Sequence, residues 1–210
     1  FDTLLAADEH SVLTEPLAVR VLADVLDATD TLVVGSSMPI RDLDSYAPHT
    51  LRAHVVANRG ASGIDGFVST TRGVATAVNR FTVGVCGDVT FLHDINGLLL
   101  KGSEVPVAIV VLDNDGGAIF SFLPQAAYPE ALEQVFTMPH GRDVAAIAAA
   151  YGARAVTADT VAALRDALAA AKTHAGVTVI RVKSDRQACV ALHRQLRSQT
   201  DAALQHSDVI

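Results

Sequence analysis

Residues 86–120 read CGDVTFLHDINGLLLKGSEVPVAIVVLDNDGGAIF. An apolar run ends at Gly87-Asp88, a helix-length segment follows, and a second run, VAIVVL (107–112), ends at Asp113-Asn114-Asp115-Gly116-Gly117. Short apolar runs without polar interruption are the mark of strands buried on both faces, as in parallel sheets covered by helices. Both runs stop at oxygen-bearing side chains beside glycine. If the two strands are neighbours, those side chains lie at the same sheet edge, where open α/β sheets bind ligands.

The pattern repeats outward from this stretch. Six strands are expected, at 31–35, 53–57, 82–86, 107–112, 154–157 and 177–182, each apolar nearly throughout. Helical patterns lie between them at 15–28, 66–80, 94–101, 143–151, 160–173 and 185–198, the first preceded by Thr14 as N-cap with Pro16 in the first turn. Strands alternating with helices predict an α/β fold, a doubly wound six-stranded parallel sheet with helices on both faces. Residues 113–142 break the rhythm. Pro124, Pro129 and Pro139 interrupt them, and a short helix is expected at 129–136. Connections this long in a compact domain usually carry function.

The 210 residues are half hydrophobic, with a formal charge of −7. That composition suits one large domain with a sizeable core. No basic cluster offers a nucleic-acid surface, and no apolar run is long enough to span a membrane. Cys86 and Cys189 read as reduced, buried thiols of a cytoplasmic protein. The chain opens at Phe1 without a signal-peptide pattern and is expected to be a piece of something longer.

Four polar, Gly-rich segments fall at the carboxyl ends of the expected strands: GSSMPIRD (35–42), NRGASGIDG (58–66), GDVT (87–90) and DNDGG (113–117). Their convergence predicts a single ligand site. Asp88, the Asn114 amide and a carbonyl that Gly116 is free to turn are hard oxygen ligands. With phosphate oxygens and water they suit octahedral Mg²⁺. The Val89 and Thr90 amides open the next helix, a favourable place for phosphate. Plainer readings exist for each piece: Asp88 or Thr90 as an N-cap, Asp115-Gly116 as a simple turn. An EF-hand reading fails because the twelve residues from Asp113 end in Pro124 rather than an acid. No P-loop motif occurs, and VVGSSMP carries too few glycines for a dinucleotide fingerprint.

GDVT followed at this distance by DNDGG resembles the cofactor- and metal-binding motif of thiamine diphosphate-dependent enzymes, with Val89 where the family has Gly and Asp113 where it has Asn. GSSMPIRD, NRGASGIDG, GAIFSFLPQ (117–125) and FTMPHG (136–141) narrow the resemblance. They are similar to the C-terminal, diphosphate-binding domain of the MenD family, the 2-succinyl-5-enolpyruvyl-6-hydroxy-3-cyclohexene-1-carboxylate (SEPHCHC) synthases of menaquinone biosynthesis.

The resemblance implies a cofactor, thiamine diphosphate with Mg²⁺ or Mn²⁺, and a reaction, the decarboxylating carboligation of 2-oxoglutarate with isochorismate. It implies that Asp88, Asn114 and Gly116 hold the metal, that Ser36, Val89 and Thr90 cradle the diphosphate, and that Ile64 lies under the cofactor. Substrate would meet Ser37, Arg41 and Arg59, with Ile119, Phe120 and Leu123 as an apolar wall. Two dianionic substrates make paired guanidinium groups chemically apt. Structural ion pairing of Arg41 with Asp42 or Asp44, and core packing for Ile64 and the wall residues, are the plainer alternatives. His93, placed at a helix start, and His140 receive no role. The activating glutamate of these enzymes lies in an N-terminal pyrimidine-binding domain, and no segment here matches it. Residues 1–210 are therefore expected to be a single C-terminal domain, inactive alone, with an exposed apolar face for that partner domain, in a homodimer or homotetramer. Another thiamine diphosphate carboligase of the acetolactate synthase type, or a non-catalytic diphosphate-binding module, remain as alternatives.

Overall fold

The computed structural model describes residues 7–58, 63–99 and 104–205. In chain order the elements are α1 (Glu15–Val25), β1 (Thr31–Val34), α2 (Met38–Tyr46), β2 (His54–Ala57), α3 (Phe67–Val78), β3 (Thr82–Gly87), α4 (Asp88–His93), β4 (Val107–Asp113), α5 (Pro129–Ala131), α6 (Val144–Ala150), β5 (Arg154–Thr157), α7 (Val161–Lys172), β6 (Val177–Lys183) and α8 (Arg186–Gln205). The six strands form one sheet in the order β2-β1-β3-β4-β6-β5. Every pairing is parallel.

Period-two alternation explains why the central strands are apolar throughout. Ala108, Val110 and Leu112 of β4 face one core, shared with α1 and α7 through Leu17, Leu22, Leu164 and Leu168. Ile109 and Val111 face the other, shared with α3 and α6 through Phe67, Val68, Val144 and Ala148. Every residue of β4 is buried. The edge strands depart from the expectation of burial on both faces. Most of β2 is exposed, and β5 is only partly covered, because each has a neighbour on one side alone.

Three local expectations need correction. Residues 38–42, read as part of the polar segment 35–42, belong to a helix, α2. Pro39 sits in its first turn, and Met38, Pro39, Asp42, Leu43 and Tyr46 make one buried helical face. The helix after β3 begins at Asp88 itself rather than at Asp94, and a 3₁₀ turn follows at Ile95–Leu99. Asp94 instead reaches across to α3, accepting from the Ser69 backbone N–H at 2.7 Å and from its hydroxyl at 3.2 Å. The helix expected at 129–136 is the single turn of α5 running into a π-helical stretch, Leu132–Thr137.

Asp42 of α2 is buried against α8. The His193 Nε2 lies 2.7 Å from Asp42 Oδ1, and the Cys189 carbonyl lies 2.8 Å from His193 Nδ1. Burial pushes the Asp42 carboxyl up. For His193 burial acts downward, yet the hydrogen bond and charge of Asp42 hold it above its ordinary value. Tyr46 and Phe122 pack edge-on against the same imidazole.

Candidate functional site

A cavity of about 1030 Å³ opens at the carboxyl ends of β1, β3 and β4. All four Gly-rich segments reach it: Ser36, Ser37 and Arg41 from the first, Ile64 from the second, Asp88, Val89 and Thr90 from the third, and Asn114 and Gly116 from the fourth. Ile119, Phe120 and Leu123 line it as well. Arg59 lies outside the described residues.

Asp88 is the centre of the polar wall. It follows β3 directly and is 1% exposed. Its Oδ2 accepts from the Gly116 N–H at 2.8 Å, and its Oδ1 from the Val89 N–H at 2.7 Å. His140 Nε2 stands 3.1 Å from the same Oδ2. Because His140 Nδ1 accepts from the Arg142 N–H at 3.0 Å, the ring proton is on Nε2, and Nε2 donates to Asp88. Burial pushes the Asp88 carboxyl up to about 6; the nearby Asp113 charge adds to this, and the three donors oppose it.

Asp113 is also buried, but Arg181 on β6 answers its charge, with Nε 2.6 Å from Oδ2. Asp88, Asp113 and His140 offer ligand atoms all within 4.8 Å of one another. Asn114 is 8% exposed; its Nδ2 donates to Glu15 Oε1 at 2.7 Å, and its Oδ1 is buried without a partner among the described residues. A buried, unpaired amide oxygen and a buried carboxylate on residues that line one cavity are hard oxygen donors of the kind a divalent cation takes. The residues present therefore fit such an ion.

The DNDGG turn is shaped by backbone that L side chains avoid: Asp115 has φ 62° and Gly116 φ 131°. It is pinned from the far side, where the Gly117 N–H donates to the Thr137 carbonyl at 2.6 Å. Asp115 Oδ1 accepts from the His140 and Gly141 N–H groups at 2.9 and 2.7 Å. Segments 113–117 and 137–141 thus fold as one unit, which is more than the simple turn Asp115-Gly116 would make.

The first segment is strained where it enters the cavity. Ser37 has φ 73° and ψ −133°, rare for a non-glycine residue. Arg41, one helical turn on, donates from Nη1 to the Ser37 carbonyl at 2.6 Å. The ion pairing of Arg41 with Asp42 or Asp44 is not found among the described residues, since Asp42 belongs to His193, and Arg41 is exposed at the cavity. Ile64, Ile119 and Phe120 are half-buried and Leu123 is exposed, and none belongs to either main core. His93 ends α4 rather than starting a helix, and it pairs at the surface with Asp65 at 3.3 Å.

Sequence reasoning missed Glu15 and left His140 without a place. Glu15 reads as an ordinary acid in the first turn of α1, and nothing local signals its contact with residue 114. The 122–138 stretch adds an exposed apolar rim: Leu123, Val135 and Met138 line the cavity, and Phe122 and Tyr128 of the same stretch are exposed.

Comparisons with known proteins find relatives over most of the chain. Residues 45–182 match the family described as thiamine pyrophosphate enzyme, C-terminal TPP binding domain. The chain is 43% identical over 202 residues to the SEPHCHC synthase of Myxococcus xanthus, covering 94% of this chain and 34% of that protein. It is 41% identical to the synthase of the same name from Chloroflexus aurantiacus, covering 98% and 35%. The chain thus spans about a third of the length of these relatives. Among solved structures, a putative thiamin diphosphate-dependent enzyme from Mycobacterium smegmatis superposes with a TM-score of 0.64 at 26% identity, over 84% of this chain and 33% of that one. The benzoylformate decarboxylase of Polynucleobacter necessarius, at 23% identity and a TM-score of 0.62 over 86% and 35%, shares the fold.

Proposed function

The chain belongs to the thiamine pyrophosphate enzymes, as their C-terminal TPP-binding domain, and from that premise we propose that it is the diphosphate- and metal-binding part of a SEPHCHC synthase. The complete protein would join 2-oxoglutarate to isochorismate with loss of CO₂. The observation that carries the reading is the buried, unpaired Oδ1 of Asn114, a residue that lines, together with Asp88, the cavity where four Gly-rich segments meet.

In this reading Asp88, Asn114 and Gly116 hold Mg²⁺ or Mn²⁺. Ser36, Val89 and Thr90 face the diphosphate, and Ile64 supports the cofactor from below. Bound thiamine diphosphate supplies the electron sink that lets a 2-oxo acid lose CO₂ and form a carbon–carbon bond. The chain's own side chains bind, orient and neutralise. Arg41, exposed and without an ion-pair partner among the described residues, meets a substrate carboxylate together with Ser37 and Arg59. Ile119, Phe120 and Leu123 keep water from the ring of the second substrate. The exposed apolar rim supports a pyrimidine-binding domain closing over the mouth, from the same enzyme and in a homo-oligomer. Residues 1–210 alone would then bind metal and diphosphate without catalysing the reaction. The reading includes a cytoplasmic location, supported by two buried thiols that form no disulfide.

The test is a steady-state assay of the complete protein with isochorismate and 2-oxoglutarate, and with pyruvate as competing donor. Arg41→Ala should lower kcat/KM by roughly thirtyfold or more, since a desolvated carboxylate losing its partner costs about 2–5 kcal/mol. Thiamine diphosphate affinity should stay unchanged. Wild-type kinetics in the variant, or preference for pyruvate in the parent, would remove the substrate assignment.

A further inference from the structure

We infer that Glu15 is a positioning residue for the metal, because its carboxylate decides which end of the Asn114 amide faces the cavity. The inference rests on the metal role proposed above for Asn114.

Glu15 lies in the first turn of α1, far in sequence from the DNDGG turn. A glutamate there usually points to water and complements the helix dipole. This one is 2% exposed. Its Oε1 accepts twice, from Asn114 Nδ2 at 2.7 Å and from the Ser184 hydroxyl at 2.8 Å. It thereby ties the start of α1 to the residues that follow β4 and β6.

The chemistry of the pair is asymmetric. An amide has one end that donates and one that accepts, and a carboxylate only accepts. Turned the other way, Asn114 would set its Oδ1 against a carboxylate oxygen, with no proton between them. Glu15 therefore takes the donor end and leaves the acceptor end free. The acceptor end is the buried Oδ1 that lacks a partner among the described residues. Glu15 itself borders the same cavity as Asp88. Its contribution is to make Asn114 an oxygen ligand before any ion arrives, in the way that groups behind metal ligands generally fix ligand orientation.

The experiment is a Mn²⁺ titration of the complete protein in the presence of inorganic pyrophosphate, read by the electron paramagnetic resonance of free Mn²⁺. Glu15→Met keeps the length of the side chain and removes the acceptor, and it should weaken Mn²⁺ binding about 10–100-fold. Glu15→Gln, which still offers an oxygen to Nδ2, should recover most of that loss. Asn114→Ala should weaken Mn²⁺ as well, and adding Glu15→Met to it should change nothing further, because the two residues act through one oxygen. Should Glu15→Met not fold, Glu15→Ser enters the same cycle.

Wild-type Mn²⁺ affinity in the Glu15 variants would overturn the inference while leaving the metal site standing. An equal loss with and without Asn114 would also overturn it, since Glu15 would then act through general packing. Normal Mn²⁺ binding by Asn114→Ala would remove the metal reading itself.

Discussion

Asp88→Ala should abolish Mg²⁺-dependent binding of thiamine diphosphate by the complete protein, with at least a hundredfold loss of affinity by calorimetry, the upper end of what lost support around a metal costs. The substitution removes the only carboxylate among the proposed ligands. It also orphans three donors that now converge on it, the Val89 and Gly116 N–H groups and His140 Nε2. Asp88→Asn keeps the shape and one acceptor, so it separates the lost charge from the lost scaffold. Cofactor affinity unchanged in both variants would end the assignment. A pH dependence accompanies it. Burial holds the metal-free Asp88 at about 6, against an ordinary value of 3.8. The metal needs the ionised form, so apparent Mg²⁺ affinity should be flat above about pH 6 and fall below it. Stability of the metal-free protein runs the other way. The raised carboxyl contributes fully below about pH 4, and that contribution is lost as pH rises through about 6. Added Mg²⁺ should therefore raise the melting temperature more at pH 7.5 than at pH 5.

Gly116→Ala should be the most damaging exchange of a glycine among the described residues. With φ at 131° the backbone is in a region almost closed to L side chains, which alone costs about 1–3 kcal/mol. A Cβ would also fall 2.1 Å from the Thr137 carbonyl oxygen, a backbone atom that already accepts from the Gly117 N–H. The 137–141 segment would have to move, and His140 and the Gly116 N–H would leave Asp88 with it. The expected result is a lower melting temperature together with a loss of metal-dependent cofactor binding on the order of 10–100-fold. Gly73→Ala is the control. It lies exposed on α3 with open space around the added carbon, and should be neutral or slightly stabilising. Similar behaviour of the two variants would show that the turn tolerates rearrangement.

The central strands were legible because a strand covered on both faces must be apolar at every position, and 107–112 has no other reading at that length. The edge strands carry the same composition under weaker constraint, so their exposure could not be read. The ligand end was legible because glycine beside oxygen donors recurs after four strands. What stayed hidden depends on partners distant in sequence. Asp42 looks like a surface acid of a loop, and its burial makes sense only beside His193, 151 positions later. Glu15 looks like a dipole-complementing acid until Asn114, 99 positions away, is placed against it. His140 had no visible role because its anchor is the far side of the DNDGG turn. The π-helical stretch at 132–137 follows from no local propensity.

The pairing of Asp42 with His193 has a consequence for biosynthesis. A ribosome adding about 5–20 residues per second needs roughly 8–30 s to cross the 151 positions that separate them. Throughout that interval α2 has no counter-ion for the acid on its inward face, and water is the better host for it. The wall that carries Ser37 and Arg41 would thus be made well before it can settle. Nascent chains stalled before residue 193 should leave α2 open to protease, and chains extended past it should not. Protection of α2 in the shorter chains would show that α1 and α2 set that wall without waiting for α8.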